Sequence, residues 1–127
     1  MGWFTSFLYS QFFVTLPEPI KDFSGQTVIV TGSNTGLGLE AARHLSRLNA
    51  TLIILAVRNK GKGEAAKESI LASTNRQETS IEVWDLDMQS YESIKAFCTR
   101  ASTLPRLDAV IENAGIMTKY FKIVGGY

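Results

Sequence analysis

The sequence predicts an α/β fold: an incomplete parallel sheet of about four strands, in spatial order 3-2-1-4, with crossover helices between them. Three observations carry the expectation. Four short runs rich in β-branched and apolar residues, at 27–31, 52–57, 80–86 and 108–112, alternate with stretches of helical spacing. The second run, Leu52-Ile53-Ile54-Leu55-Ala56-Val57, is apolar without a break, as a strand covered on both faces must be. The first run ends in a glycine-rich turn that opens directly into a helical segment.

Taken in order, the chain begins with an uncharged, aromatic stretch. Residues 2–16 include Trp3, Phe4, Phe7, Leu8, Tyr9, Phe12, Phe13, Val14 and Leu16. The run is too short, and too interrupted by Thr5, Ser6, Ser10 and Gln11, for a membrane span. It lacks the basic start of a secretory signal. Two readings stay open: an aromatic helix packing on the protein or on a partner, or a segment dipping into a membrane interface, without the lysines usual on the polar face. Pro17-Glu18-Pro19 ends it, because proline cannot continue a helix and restricts its predecessor. Residues 17–26 read as a linker, with Ser24-Gly25 turning into the first strand. The chain so divides into an N-terminal segment with its linker, 1–21, and a domain over 22–127.

After the glycine turn, Leu37, Ala41, Leu45 and Leu48 space a helix that runs to about Asn49, with Arg43 and His44 on its solvated side. His44 is the only histidine, so no metal cluster is expected on it. The second strand gives way to a basic loop, Arg58-Asn59-Lys60-Gly61-Lys62-Gly63, and a helix from about Glu64 to Ala72. The third strand follows. Ile94, Phe97, Cys98 and Ala101 then repeat at helical spacing, with Ser90 as N-cap and Cys98 assigned to core packing. Pro105 closes that segment, the fourth strand comes next, and the tail after Gly115 reads as a loop. Right-handed crossovers fold this string into order 3-2-1-4, half of a Rossmann sheet.

At 127 residues the chain suffices for one small domain, and two full βαβαβ halves need more. Its 45% hydrophobic and 20% charged residues fit a soluble globular protein. A net charge of +1 gives no nucleic-acid footprint. A single cysteine excludes an internal disulfide and suits a reducing, cytoplasmic compartment, with association at a membrane surface left open by residues 2–16.

The chemistry concentrates at the strand ends. In Gly32-Ser33-Asn34-Thr35-Gly36-Leu37-Gly38, Gly32 makes the turn, Gly36 admits a phosphate close to the main chain, and Gly38 lets helix and strand pack tightly. N–H groups and the dipole at the helix start favour a pyrophosphate there. The same letters also suit an ordinary βα loop. A carboxylate about 20 residues on would hold the ribose hydroxyls of NAD. Arg58 stands at that spacing from Gly38, and a guanidinium pairs with the 2′-phosphate of NADP. Lys60 and Lys62 add to the field, unless the whole loop is simply solvated. Asp87, before a helix, suits a local cap as well as a ligand contact.

Together these stretches resemble the short-chain dehydrogenase/reductase family, from about Asp22 onward. The matching pieces are Thr31-Gly32-Ser33-Asn34-Thr35-Gly36-Leu37-Gly38, Val57-Arg58-Asn59, Asp87-Met88-Gln89-Ser90 and Asn113-Ala114-Gly115. The likeness is strongest to NADP-linked members of the retinol-dehydrogenase-like type. It implies NADP rather than NAD as cofactor, and hydride exchange with a small alcohol or carbonyl compound in the parent enzyme. It assigns cofactor contacts to Gly32, Ser33, Asn34, Gly36, Leu37, Gly38, Arg58, Asp87, Met88, Asn113, Ala114 and Gly115. The resemblance places Asp87 and Met88 beside the adenine. It gives Asn113 a bond across the sheet, somewhat weakened by Glu112 where the family often has a second asparagine. The family's catalytic Tyr-x-x-x-Lys follows its Asn-Ala-Gly stretch. Here Tyr91 and Lys95 fit the letters but precede it, which makes them a decoy. The expectation is an N-terminal portion that lacks the catalytic serine, tyrosine and lysine, with a non-catalytic nucleotide-binding or interaction module as the alternative.

Overall fold

The computed structural model describes residues 2–116 and 119. Nine elements follow one another. They are α1 (Trp3–Phe13), β1 (Thr27–Thr31), α2 (Gly36–Arg47), β2 (Leu52–Val57), α3 (Lys60–Thr74), a 3-10 turn (Glu78–Ser80), β3 (Ile81–Asp85), α4 (Tyr91–Ala101) and β4 (Ala109–Ile111). The strands form one parallel sheet in order β3-β2-β1-β4, as expected. Val28 of β1 sits opposite Ile53 of β2 and Ala109 of β4, and Val30 opposite Leu55 and Ile111.

Successive side chains of a strand point to opposite faces, so the continuous apolar runs feed two cores. On one face Val28, Val30, Ile53, Leu55, Val57 and Ile81 pack under Ala42 and Leu45 of α2 and Ala66 and Ile70 of α3. On the other, Ile29, Ile54, Ala56, Trp84 and Leu86 pack against Ile94, Phe97 and Ala101 of α4. Trp84 is fixed there by the Phe97 ring edge-on, by the Arg100 guanidinium 3.9 Å over its own ring, and by a hydrogen bond from its indole N–H to Glu82.

Several local expectations need correcting. Helix α3 starts at Lys60, inside the stretch read as a loop. Its cap is Asn59, whose side chain accepts from the Lys62 N–H at 3.0 Å. Gly63, a poor helix former, is there for packing: a Cβ would come within 2.6 Å of both Val57 and Val83 side chains. Cys98 is exposed, because the face of α4 that meets the sheet is set by Ile94, Phe97 and Ala101 and the cysteine falls beside it. Leu37 is exposed too, standing at the free start of α2 rather than under it. The Arg43 and His44 side of α2 is not freely solvated. Arg43 donates to the Ser69 carbonyl and to the Ser69 and Ser73 hydroxyls, pinning α2 to α3. His44 is half-buried, with Nε2 enclosed and unpaired among the described residues. Among the described residues nothing buries helix α1, which is exposed at every position. No helix among the described residues is long and apolar enough to cross a membrane. Most of the tail read as a loop after Gly115 lies outside the described residues.

Candidate cofactor site

A cleft of about 490 Å³ opens at the carboxyl ends of the four strands, where α/β sheets bind ligands and where the order reverses between β1 and β4. Four turns wall it. The turn after β1 brings Gly32, Asn34 and Thr35; the end of β2 brings Ala56 and Arg58. Leu86 to Gln89 come from the turn after β3, and Asn113 to Ile116 from the turn after β4.

The glycine turn is shaped by backbone that most residues avoid. Gly32 has φ +63° and Gly36 φ +57°, in the left-handed region. Gly32 N–H donates to the Ala56 carbonyl at 2.9 Å, so the turn is anchored on β2. Ser33 points inward, fully buried, and donates to the Val30 carbonyl at 2.9 Å. Its side chain braces the turn from beneath and does not line the cleft. Thr35 occupies the N-cap of α2 without a side-chain bond, and the first turn carries no acidic residue. The N–H donors and positive dipole end of α2 are therefore left uncompensated by its own cap.

The far wall is pressed against this turn. A Cβ on Gly32 would lie 3.0 Å from the Ala114 backbone. A Cβ on Gly38 would lie 2.5 Å from the Gly32 carbonyl oxygen and 2.6 Å from the Asn113 amide nitrogen. The cross-sheet bond expected of Asn113 is present, since its side-chain N–H group donates to the Thr31 and Gly32 carbonyls at 3.3 and 3.2 Å. Thr31 reciprocates. Its hydroxyl oxygen accepts the backbone N–H groups of Asn113 and Ala114, both at 3.0 Å.

Arg58 lies exposed on the opposite lip. Among the described residues its guanidinium has no hydrogen-bond or ion-pair partner. Lys60 and Lys62, now in the first turn of α3, do not line the cleft. Asp87 lines it, and also serves locally: Oδ1 accepts the Gln89 N–H at 2.9 Å while its own N–H donates to the Ser93 hydroxyl. Ser90 caps α4 as expected, accepting from Ser93 N–H at 3.2 Å. Of the twelve residues singled out from sequence, Gly32, Asn34, Arg58, Asp87, Met88, Asn113, Ala114 and Gly115 meet at the cleft. Gly36, Leu37 and Gly38 form the helix start behind the turn. Sequence reading missed Thr31, Thr35 and Gln89, all of which sit inside or beside stretches it had marked. Tyr91 and Lys95, exposed on α4, do not line the cleft. Among the described residues no group of three His, Cys, Asp or Glu side chains is placed to hold a metal ion.

The sequence profile of the short chain dehydrogenase family matches residues 26–124. The short chain dehydrogenase/reductase dmxR8 of Cryptosporiopsis sp. is 54% identical over 111 residues, which are 87% of this chain and 34% of that protein. The short chain dehydrogenase atnD of Emericella nidulans is 48% identical over 122 residues, 96% of this chain and 38% of that one. Among solved structures, a Shigella flexneri short chain dehydrogenase complexed with NADP superposes with a TM-score of 0.65 and 32% identity, over 77% of this chain and 41% of that one. The chain thus spans little more than a third of the length of these curated relatives. The cleft at the switch point, the uncompensated helix start and these likenesses agree: the chain belongs to the short chain dehydrogenase family.

Proposed function

We propose that residues 22–127 are the NADP(H)-binding portion of a short-chain dehydrogenase/reductase of the retinol-dehydrogenase-like type, with residues 1–21 as a separate N-terminal segment. The observation that carries the cofactor choice is Arg58, a cation that has no partner among the described residues and stands on the lip of the cleft, where an NAD enzyme would present a carboxylate. The residues fit the group. The start of α2 offers N–H donors to the pyrophosphate, and the glycines leave room for it beside the main chain. Arg58 pairs with the 2′-phosphate. Asp87, whose Oδ1 is engaged by Gln89, and Met88 line the cleft where they would border the adenine. Asn113 holds the far wall, so that the Ala114-Gly115 backbone stays beside the dinucleotide. When bound, the nicotinamide supplies hydride exchange with a hydroxyl or carbonyl carbon, the parent reaction of the family.

Calorimetry with NADP and NAD on the wild-type chain and on Arg58→Ala tests the reading. A charge-assisted hydrogen bond is worth about 1.5–3 kcal/mol, and an exposed one falls at or below the low end. The expected preference for NADP is about tenfold, the equivalent of about 1.4 kcal/mol, and it disappears in Arg58→Ala. Equal affinity for the two cofactors in both proteins would refute the assignment.

A further inference from the structure

We infer that α1 is a lipid-binding element: residues 2–16 insert into one leaflet of a bilayer, driven by apolar contact rather than charge. The inference stands independently of the cofactor assignment. Its first support is the distribution of the apolar side chains. At about 100° per residue, Trp3, Phe7, Phe4, Leu8, Phe12, Tyr9 and Phe13 succeed one another around the whole circumference of the helix. A protein groove covers a stripe of a helix. A coat on every side matches an apolar medium that surrounds it.

The lack of charge and two of the four short polar side chains of α1 point the same way. Residues 2–17 carry no charged side chain. The Thr5 and Ser10 hydroxyls donate to the Gly2 and Phe7 carbonyls, each at 2.7 Å, so they enter a poorly hydrated environment already bonded. The exposed aromatic area is large. Trp3 is 79%, Phe12 76% and Phe13 73% exposed. With Phe4, Phe7 and Tyr9 this amounts to roughly 700 Å² of exposed aromatic surface, more than the largest apolar patch of an ordinary soluble monomer.

Dimensions decide the mode. Eleven helical residues span about 16 Å, half of the roughly 30 Å of hydrocarbon in a bilayer. The helix therefore stays in one leaflet, near water that satisfies its open ends. The exposed stretch from Val14 to Asp22, with Pro17 and Pro19, separates it from the domain. A second copy is a poorer occupant. Pairing two such helices hides one stripe of each and leaves the opposite side of both in water, whereas lipid covers the whole circumference.

The test is flotation of the full 127-residue chain with neutral phosphatidylcholine vesicles. The expected result is co-flotation that changes less than about twofold between about 0.05 and about 0.5 M salt. Vesicles with bromine near the glycerol end of the acyl chains should quench the emission of Trp3, and Trp3→Phe should abolish that quenching because the remaining Trp84 is buried in the domain. The triple change Phe4→Ser, Phe12→Ser, Phe13→Ser should lower the bound fraction by about tenfold or more, with the thermal melt of the domain unchanged. Three outcomes overturn the proposal: no flotation; a lipid-free dimer that protects Trp3; or binding confined to anionic vesicles and lost in high salt.

Discussion

Strands β2 and β4 flank the same central strand and are built from the same kind of residue, yet they live in different surroundings. In β2 every residue after Leu52 is buried. In β4 all three residues are exposed, Val110 at 46% and Ile111 at 36%. The difference lies in the neighbours. Strand β2 has β1 and β3 alongside, α2 and α3 above, and α4 below. Strand β4 has β1 on one side and, among the described residues, no strand on the other. A β-branched apolar run selects the strand conformation, whereas burial depends on what the topology stacks against it. An exposed apolar edge also invites pairing with other chains.

The sharpest way to break the comparison is to make the same kind of truncation in both strands. Ile54→Ala empties a fully buried site and should cost about 2–5 kcal/mol, enough to unfold much of a marginal domain. Val110→Ala, in the register position beside Ile29 just as Ile54 is, should cost about 0.5 kcal/mol or less. Equal losses in urea melts would mean that β4 is covered in solution.

The second test acts on the joint between the two regions. Gly38→Ala drives a Cβ into the Gly32 carbonyl and the Asn113 side chain, with a cost of about 1–3 kcal/mol and weaker NADP binding as Asn113 is displaced. Gly61→Ala, whose Cβ would meet nothing closer than 3.4 Å, is the control and should leave both stability and binding almost unchanged. A harmless Gly38→Ala would show that α2 and the far wall are not in register as described.

The smallest expected effect concerns how β4 is held at its other end. The Asp108 carboxylate accepts from the Arg106 guanidinium at 2.7 and 2.8 Å and from the Thr27 N–H at 2.8 Å. The Arg106 bonds, and then the Thr27 N–H, hold its carboxyl below the ordinary value of 3.8. A lowered folded pKa contributes stability that is present above the unfolded value and fades as the pH falls through the folded one. Docking of β4 should therefore be constant at neutral pH and weaken below about pH 4. Asp108→Asn should remove that acid limb, and amide exchange at Ala109 and Val110 is the readout.

Much of this was written in the sequence, for identifiable reasons. The strand order followed from two same-direction crossovers and one reversal, which handedness leaves little freedom to alter. The glycine turn was legible because Gly32 and Gly36 adopt positive φ and Gly38 sits where no Cβ fits. What escaped depended on distant partners. Gly61 and Gly63 looked like a loop until Val57 and Val83 were placed beside the latter. Cys98 belongs to the right helical period but falls where, among the described residues, α4 has no neighbour to cover it. Thr31 reads as one more β-branched strand residue, and nothing local announces that its hydroxyl ties down a turn more than 80 positions away.

That Thr31 link has a consequence for the order in which the protein comes into being. At about 5–20 residues per second, a ribosome delivers β2 to the side of β1 within roughly 1–5 s of making it, but the opposite side waits roughly 4–16 s for β4. Throughout that interval the middle strand of the finished sheet is an outer strand of the growing one. The Thr31 hydroxyl is left to water, and Gly32 faces open solvent where Ala114 will later lie. A dinucleotide cannot help the nascent chain through this stage, because a ligand stabilises only a state that already binds it. Until Asn113 emerges, the β4 side of β1 stands open.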